Sequence, residues 1–438
     1  MFLHALVVAT ISARQPPTHQ LSITARYPPA VIDACNATIN YAIVVNPSSV
    51  VTSNVSFHMG APMSRTSHST WAAVVTVPDG AVGQSFVVTF ELAQGAAPAS
   101  DCLAACPPLG FNGVIRNFGS PNLVELMEDT TRLEVWPYFC TFTGRVSQRD
   151  MHAPQLNDSR RIYTYTPPGI VENPLPRAIS LAVLHDGQIL NAAITSMIDT
   201  LVLTGDVREL LVVGVSSVGS NGDPSYRARI LTPSTCDATC TCPPSTSGSS
   251  WYENCTAQIP PQIPTGGGAD YLAFIKDSLL PSVRTELTVS FSVANTVSWG
   301  YSIGGLTAWY HAYAAPATFG AVIAGSPALW WNCGKHLTLG VQAMRGKSRV
   351  YIDVGRDEGP VMNIPARNAY EGLRAEGWSD ARDVWLTVSR GDFHELNSWV
   401  TRMPRALKAV LPGSLGDLSH YEPPRRVLAG AGRLGSEI

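Results

Sequence analysis

The stretch Val297–Leu306, VSWGYSIGGL, carries the pattern Gly-x-Ser-x-Gly centred on Ser302. β-Branched and aromatic residues precede the pattern and helical spacing follows it, which predicts a strand, a tight turn and a helix. A serine on such a turn has a strained backbone that exposes its hydroxyl, and small neighbours prevent clashes. The stretch therefore predicts a nucleophile elbow at Ser302. The alternative is a glycine-rich turn before an ordinary helix, and partner residues elsewhere in the chain decide between the two.

The amino-acid composition limits the binding partners that can be expected for the chain. The 438 residues carry a formal net charge of −3 with a pI near 6.4, which provides no basic surface for nucleic acid or an anionic membrane. Apolar residues make up 45% and charged residues only 14%, while 33 prolines and 36 glycines indicate many loops. This balance is typical of an extracellular protein, and the length allows two domains.

The N-terminus and the sequons predict secretion. Residues 1–13 form a short apolar segment that ends in small residues, which indicates a signal peptide, with a buried N-terminal strand as the alternative. We expect a secreted protein or one of the secretory-pathway lumen, since no other segment has the length and apolarity of a bilayer span. Four Asn-x-Ser/Thr sequons predict a glycoprotein and begin at Asn36, Asn54, Asn157 and Asn254.

Nine cysteines also indicate an oxidising compartment. Two groups of four favour disulfides over zinc, because Cys-x3-Cys-x-Cys is not a usual zinc pattern and no histidine lies among them. The sequence does not choose among the possible pairings. Cys333 is the odd one and is expected to be a buried free thiol. The two groups are Cys236, Cys240, Cys242 and Cys255, and Cys35, Cys102, Cys106 and Cys140.

Two patterns of predicted secondary structure divide the chain into domains. Residues 136–412 alternate apolar strands with helical segments, which is typical of a doubly wound α/β sheet. They contain a long, polar, cysteine-rich insertion at 217–265, and residues 413–438 form a C-terminal tail. The expected fold class is α/β, with a small all-β sandwich domain at 18–135 before the doubly wound sheet. Its predicted strands are Gln20–Ala25, Tyr41–Val45, Val50–Phe57, Trp71–Val77 and Ser85–Leu92.

A general base follows the last predicted strand. α/β-Hydrolases place the nucleophile, the acid and the histidine in this order along the chain. His394 comes shortly after the strand Val384–Val388 and is the best candidate base, with a surface-loop histidine as the alternative. The other downstream histidines are less well placed: His311 on the helix after the elbow, His336 before the acid strand, and His420 in the tail.

The candidate acid follows the strand Arg349–Val354. Asp357 and Glu358 are adjacent there, and only one of them can face the site. A buried carboxylate at this point would orient the imidazole and stabilise its charged form. Asp353 lies inside the strand and is interpreted as structural.

An oxyanion hole needs two backbone donors. The first is the amide of Ile303, and the second is the amide of Gln188 or Gly187, in the loop after the strand Ile179–Leu184. His185 in this loop is interpreted as its support. The candidate substrate-binding residues are Asp186, Tyr301, Trp331 and Arg227, while Tyr226 and Arg229 are either further contacts or solvated loop residues.

Six ordered motifs between Pro137 and Leu411 resemble those of the esterase-D-type esterases. This group of α/β-hydrolases includes enterochelin, feruloyl and acetylxylan esterases, S-formylglutathione hydrolases and mycobacterial mycolyltransferases. Six motifs in order are far more specific than any one of them. They are Ser159–Gly169, Leu184–Gln188, Gly300–Leu306, Gly325–Trp331, Asp353–Glu358, and Gly391–His394 with Trp399.

The resemblance implies a serine esterase that needs no metal or organic cofactor. Members of the group carry a carboxylate third after the glycine that ends the acid strand, and that position selects Glu358 over Asp357. They commonly have one or two glycines before the histidine, where this chain has Gly391-Asp392-Phe393, so the histidine loop departs from the common form. The N-terminal third is similar to the β-sandwich modules of siderophore esterases, which implies carbohydrate or partner contact, with a structural cap as the alternative.

These observations favour a secreted serine carboxylic-ester hydrolase that works through an acyl-enzyme. An acyltransferase with the same triad is the main alternative. A non-catalytic carbohydrate- or partner-binding protein fits less well, because the chain keeps Ser302, Glu358 and His394. The ester substrate is expected to be an acylated saccharide, a siderophore lactone or a small ester.

Overall fold

A computed structural model describes residues 143–413 except 220–221, 224, 238, 240–262 and 345–347. It also describes the N-terminal stretches 18–27, 32–33, 37–45, 61–67, 69–78, 85–93, 114–116, 122–125 and 131–135. The predicted signal segment, the predicted strand Val50–Phe57, His420 and most of the predicted tail lie outside these residues. The chain forms two compact units, one mainly of residues before 140 and one of residues from 140 onward.

The N-terminal unit contains two β-sheets. Its first sheet has the order β4-β5-β1-β9, and its second has the order β3-β2-β6-β7 with β8 also paired to β6. Leu21, Ile23 and Trp71 are buried on the first sheet. The strands are β1 Thr18–Arg26, β2 Thr38–Val45, β3 Ala61–Pro62, β4 Ser64–Ser67, β5 Thr70–Pro78, β6 Ser85–Ala93, β7 Val114–Arg116, β8 Asn122–Glu125 and β9 Thr131–Val135.

The C-terminal unit alternates strands and helices. Its strands are β10 Arg145–Ala153, β11 Asp158–Thr166, β12 Arg177–Ala178, β13 Ser180–His185, β14 Leu210–Val215, β15 Val289–Ser290, β16 Thr296–Tyr301, β17 Ala321–Gly325, β18 Arg349–Gly355 and β19 Val384–Ser389. Its helices are α1 Pro168–Glu172, α2 Ala192–Leu203, α3 Tyr226–Leu231, α4 Gly268–Phe274, α5 Leu280–Leu287, α6 Ile303–Ala314, α7 Trp331–Met344, α8 Pro360–Ala375 and α9 Leu396–Val410. A π-helical segment, Ile275–Leu279, joins α4 to α5.

Eight strands form one sheet in the order β10-β11-β14-β13-β16-β17-β18-β19. The strands from β14 to β19 are parallel, and β11 pairs antiparallel with both β10 and β14. After β13 the chain first adds β14 on one side and then β16 on the other. The carboxyl ends of β13 and β16 therefore flank the point where strand order reverses, which is where open α/β sheets bind ligands.

Both faces of this sheet are covered, which explains its near-continuous apolar strands. Alternate residues of β13 point to opposite faces: Leu181 and Val183 pack with α4, whereas Ala182 and Leu184 pack with α2 and α9. Helices α6, α7 and α8 cover the first of these faces further along the sheet. The α/β-hydrolase fold class is confirmed, including the all-β unit before the doubly wound sheet.

Two local features differ from the sequence-based expectations. The sheet begins with the antiparallel pair β10 and β11, which the alternation of strands and helices did not predict. The segment after Ser217 was expected to be an insertion, but α3 within it buries Ala228, Ile230 and Leu231 against the core. Part of this segment therefore belongs to the packed structure.

Cys333 is not a free thiol. Cys236 and Cys333 are both disulfide-bonded, and neighbouring residues join the same two segments because the Asp237 N–H donates to Asn332 Oδ1 at 2.9 Å. The expectation of a lone buried thiol was wrong, since it rested on the sequence distance of Cys333 from the other cysteines. The remaining cysteines lie outside the described residues.

Candidate active site

Ser302 stands on a strained turn between β16 and α6. Its φ of 58° and ψ of −122° lie outside the regions that non-glycine residues favour. A Cβ on Gly300 would come within 2.4 Å of the Gly304 carbonyl oxygen, and a Cβ on Gly304 would come within 3.0 Å of Asp186 Oδ2. Gly300 is therefore sterically required, and a side chain at position 304 would force Asp186 to shift, as expected for the tight turn of a nucleophile elbow.

His394 connects Ser302 to Glu358. His394 Nε2 lies 2.9 Å from Ser302 Oγ, and His394 Nδ1 lies 2.7 Å from Glu358 Oε2. Asp357, the second choice for the acid, is exposed, and its N–H donates to the Asp392 carbonyl at 3.2 Å. The structure thus brings together a hydroxyl, an imidazole and a carboxylate from the ends of three strands, with Glu358 in the acid position.

The Glu358 carboxylate is tightly held. Its Oε1 accepts hydrogen bonds from Ser326 Oγ at 2.6 Å, from the Gly355 N–H at 2.7 Å and from Arg402 Nη2 at 3.1 Å. Burial raises the pKa of Glu358, but the hydrogen bonds from His394, Ser326 and Gly355 outweigh burial and lower the pKa below its usual value. Glu358 is therefore ionised at neutral pH and can stabilise a positive charge on His394.

Arg402 is a site residue that the sequence analysis missed. It lies on α9, is only 3% exposed, and donates from Nε to Asp353 Oδ1 at 2.9 Å and from Nη2 to Ser326 Oγ at 2.7 Å. Burial raises the pKa of Asp353 to about 6, although Arg402 opposes this rise. The sequence signal was a charged residue on the apolar face of an amphipathic helix, beside Met403 and Ala406.

The predicted oxyanion donors lie at two helix beginnings. Ile303 is the first residue of α6, and Gly187 and Gln188 begin a short 3₁₀ helix, Gly187–Ile189, so their N–H groups have no acceptor within their own helices. A Cβ on Gly187 would come within 2.3 Å of the Gly214 carbonyl carbon. Only glycine permits this close packing of the loop against β14, which fixes the loop beside the elbow.

Asp186 and Arg227, both predicted to bind substrate, bind each other in this structure. Arg227 donates from Nε to Asp186 Oδ1 at 2.7 Å and from Nη2 to Asp186 Oδ2 at 2.8 Å. Ser217 Oγ donates to the same carboxylate and also accepts from Gln188 Nε2 at 3.0 Å. Asp186 therefore links α3 to the loop Gly187–Ile189, which is called the oxyanion loop below because it carries the predicted donors. The Arg227 side chain remains 30% exposed to solvent.

Tyr301 and Trp331, which were predicted to contact substrate, are both buried in this structure. Tyr301 is 1% exposed, because strand alternation places its ring with Trp299 beneath the elbow. Trp331 is fully buried in the core between α6 and α8. The Tyr301 ring stacks on Trp399 at 5.2 Å between centroids, and Trp399 in turn meets the His394 ring edge-on at 5.2 Å. Tyr301 thus supports the base from below.

A second group of polar side chains lies buried under the elbow. His185 Nε2 lies 2.8 Å from Ser298 Oγ, and His185 Nδ1 lies 3.1 Å from Tyr271 Oη. Ser298 Oγ also lies 2.9 Å from His311 Nδ1. Burial lowers the pKa of His185 to about 3 and the pKa of His311 far below its usual value, so both are neutral. His185 ends β13 immediately before the loop, and its role as a support of the loop stays a prediction.

The remaining sequence candidates do not reach Ser302. His336 is bound by Ser234 Oγ at 2.8 Å and by Tyr313 Oη at 2.7 Å, and burial lowers its pKa to about 4. The Tyr226 ring lies between Arg160 and Arg229, whose guanidinium carbons lie 4.2 and 5.1 Å from its centroid. In the described part of the chain, no group of three or more His, Cys, Asp or Glu residues can hold a metal ion. No helix there has the length and apolarity to cross a membrane.

Comparisons with known proteins identify two curated relatives of this chain. The siderophore enterobactin esterase of Emericella nidulans is 36% identical over 92 residues, which cover 19% of this chain and 30% of that protein. The siderophore triacetylfusarinine C esterase of Aspergillus fumigatus is 41% identical over 67 residues, which cover 15% of this chain and 23% of that protein. The matched segments thus span less than a third of either curated relative.

Solved structures with similar folds include the BES protein of Bacillus cereus, with a TM-score of 0.48 and 18% identity over 61% of this chain and 96% of that chain. The ferric enterobactin esterase of Salmonella typhimurium has a TM-score of 0.46 and 17% identity over 85% of this chain and 88% of that chain. The family model "Putative esterase" matches residues 153–409, more than half of the 438 residues. The chain belongs to the "Putative esterase" family.

Proposed function

We propose that the protein is a serine carboxylic-ester hydrolase with Ser302, His394 and Glu358 as its catalytic triad. The observation that carries the proposal is the unbroken hydrogen-bonded row from Ser302 Oγ through His394 to Glu358, with distances of 2.9 and 2.7 Å. The strained elbow and the buried, ionised carboxylate are the two further features that a nucleophilic serine requires. Membership of an esterase family supports the same chemistry.

The geometry supports a two-step reaction. Ser302 Oγ attacks the ester carbonyl carbon while His394 Nε2 accepts its proton, and Glu358 stabilises the imidazolium. The N–H groups of Ile303 and of Gln188, or Gly187 in its place, stabilise the oxyanion. The tetrahedral intermediate then collapses: the bond to the alcohol breaks, His394 returns the proton to the leaving oxygen, and an acyl-enzyme remains. Water activated by His394 releases the acid and restores Ser302.

We further propose siderophore esters as the first substrates to test. The names of both curated relatives describe siderophore esterases, and their matched segments share 36% and 41% identity with this chain. Siderophore lactones are also one of the three substrate classes that the resemblance to the esterase-D-type group leaves open. Acylated saccharides and small esters complete the panel, and contact of the N-terminal unit with carbohydrate is tested by including acylated polysaccharides.

Secretion is also part of the proposal. It is supported by the apolar segment at residues 1–13 and by the sequon at Asn157, whose side chain is exposed in a turn before β11. Expression in a secreting eukaryotic host should deliver protein to the medium with a glycan that a glycosidase removes. Asn157→Asp, which tolerates the left-handed backbone at φ 48°, should lose that part of the mass shift.

The direct test is the hydrolysis of p-nitrophenyl acetate by the purified protein and by Ser302→Ala. We expect turnover by the wild type and background rates in the variant, because water alone cannot replace the nucleophile. Product analysis in the presence of an added alcohol separates hydrolysis from acyl transfer: free acid supports a hydrolase, and a new ester identifies a transferase. Wild-type rates in Ser302→Ala would reject the triad.

A further inference from the structure

A cleft lies beside the oxyanion loop. Its volume is about 490 Å³, which is large enough for part of a small organic ligand. Gln188 of the oxyanion loop lines one end, and residues of β10 and β11 line the other. The cleft therefore adjoins the loop that carries the proposed oxyanion donor Gln188 and reaches the edge of the sheet.

The lining of the cleft combines polar and apolar surface in similar amounts. Ser159 and Tyr163 of β11 contribute hydroxyl groups, and Val218 is the largest apolar side chain in it. At the edge, Arg161 donates from Nε to Asp150 Oδ1 at 2.9 Å and from Nη2 to Asp150 Oδ2 at 3.1 Å. This pair remains more than half exposed, so it offers both a donor and an acceptor without net charge. The polar groups of this lining can bind the amide or hydroxyl groups of a ligand, whereas a plain hydrocarbon chain offers them no hydrogen bonds.

The position of the cleft in the sheet identifies which half of an ester it faces. Ser302 follows β16, and His394 and Glu358 reach it from β19 and β18 on one side. The cleft lies on the opposite side, where β13, β14, β11 and β10 follow in order. Adjacent strands are about 4.8 Å apart, so β11, which lines the cleft, lies roughly 14 Å from β16, the strand that leads into the elbow.

The leaving alcohol must lie near His394, because His394 Nε2 returns a proton to its oxygen. The exposed ring of Phe393 adjoins that side and suits an aromatic alcohol. The oxyanion occupies the donor loop, so the fourth substituent of the tetrahedral carbon, the acyl chain, points away from His394. This is the direction of the cleft.

We propose that this cleft is the acyl-binding subsite and that it selects long acyl chains carrying polar groups over hydrocarbon chains of equal length. The inference rests on the proposed function, since it assumes that Ser302 is acylated. Gln188 aligns the chain at its near end, and Tyr163 with the Arg161–Asp150 pair binds polar groups at its far end. Short acyl groups such as acetyl do not reach it.

The test compares two p-nitrophenyl esters of equal chain length, the 6-acetamidohexanoate and the nonanoate. For the wild type we expect kcat/KM for the amide-containing ester to exceed that for the hydrocarbon ester by about tenfold, as one or two additional hydrogen bonds would give. Val218→Trp fills the cleft and should bring this ratio close to one. Val293→Trp, the same change at an exposed site beyond the opposite end of β16, should keep the wild-type ratio.

A double variant, Asp150→Ala with Arg161→Ala, removes the far-end pair without changing net charge. It should also lower the ratio, and it decides the outcome if Val218→Trp does not fold. A wild-type ratio near or below one, or an unchanged ratio in the double variant, overturns the acyl-subsite proposal. Hydrolysis of p-nitrophenyl acetate by wild type and not by Ser302→Ala would leave the esterase assignment standing in that case. Loss of the assignment itself would instead appear as acetate hydrolysis that does not depend on Ser302.

Discussion

Two serine–histidine contacts lie close together in this protein, and their surroundings differ in every respect that matters for chemistry. Ser302 meets His394, whose side chain is 35% exposed and hydrogen-bonded to the ionised Glu358. Ser298 meets His185, which is fully buried and bound on its other nitrogen by the Tyr271 hydroxyl. The distances from hydroxyl to imidazole, 2.9 and 2.8 Å, are nearly the same.

The comparison shows that a short serine–histidine distance does not by itself make a nucleophile. A base must gain a proton during the reaction, and a carboxylate beside it stabilises the cation that forms. Burial without a hydrogen-bonded carboxylate has the opposite effect and lowers the pKa of His185 to about 3. We therefore interpret the Ser298 group as a neutral support that holds β13, β16 and α6 together beneath the elbow.

The largest expected effect is on kcat, and it distinguishes Glu358 from the adjacent Asp357. Glu358→Gln keeps the shape of the side chain but removes the charge that stabilises the imidazolium, so kcat should fall by about 10³- to 10⁴-fold. Asp357→Asn is the matched control, and its kcat should stay within about twofold of wild type because the Asp357 side chain is exposed and the ring of His394 is bound by Glu358 and Ser302 instead. Steady-state kinetics on p-nitrophenyl acetate measures both. Equal losses in the two variants would contradict the placement of the acid.

The next prediction concerns Arg402, the cation that binds Glu358. Arg402→Met leaves the buried carboxylates of Asp353 and Glu358 without their shared cation, so the free energy of unfolding should fall by about 3 kcal/mol, with a loss of kcat. Arg405→Met, three residues along the same helix and exposed, should change the free energy of unfolding by less than about 0.5 kcal/mol. Chemical denaturation of both variants measures the difference. A stable, fully active Arg402→Met would show that Glu358 needs no such anchor.

The buried histidines predict how stability depends on pH. The pKa of His185 in the folded protein is about 3, below its usual value of 6.5. Between pH 6.5 and pH 3 the unfolded chain therefore binds more protons than the folded protein, and the free energy of unfolding falls as the pH drops. His185→Gln removes its share, and between pH 6.5 and 5 the wild type should lose about 2 kcal/mol more than the variant. Asp353, with a pKa raised to about 6, opposes this trend but is common to both proteins. Parallel stability curves would contradict a neutral buried His185.

The smallest effect concerns the second serine. Ser298→Ala removes the hydroxyl that lies between His185 and His311, which should reduce the free energy of unfolding by about 1 kcal/mol. Its kcat on p-nitrophenyl acetate should remain within about threefold of wild type. Thermal unfolding and steady-state kinetics on the same preparation measure both quantities. A loss of activity as large as that of Ser302→Ala would mean that the two contacts are not different in kind.

The elbow and its partners were predictable because each follows a strongly apolar strand and carries a local signature. Gly300 and Gly304 lie where a Cβ would meet close neighbours, and this steric limit is visible in the sequence as the Gly-x-Ser-x-Gly pattern. His394 is recognisable because it follows the last strand. Glu358 required the resemblance to a family, since the local pattern left Asp357 open. The structure places Glu358 in hydrogen-bonding contact with His394 and leaves Asp357 exposed.

Tyr301 and Trp331 were predicted to contact substrate, yet both side chains are buried. Both residues adjoin motif residues in the sequence, but neighbours in a strand point to opposite faces, so closeness to Ser302 along the chain does not place Tyr301 in the site. Arg402 was missed for the complementary reason, because it reaches Glu358 from 44 residues away. Only the packing of α9 against the sheet brings these side chains together, and no local sequence pattern reveals that packing.

The central claim is that Ser302, and not Ser298, is the nucleophile. The most direct test is to treat the full-length protein with a fluorophosphonate probe and to map the modified residue by peptide mass spectrometry. We predict one adduct on Ser302, its loss in His394→Ala, and no adduct on Ser298 in any variant. An adduct on Ser298, or no adduct in a protein that hydrolyses p-nitrophenyl acetate, would contradict the account.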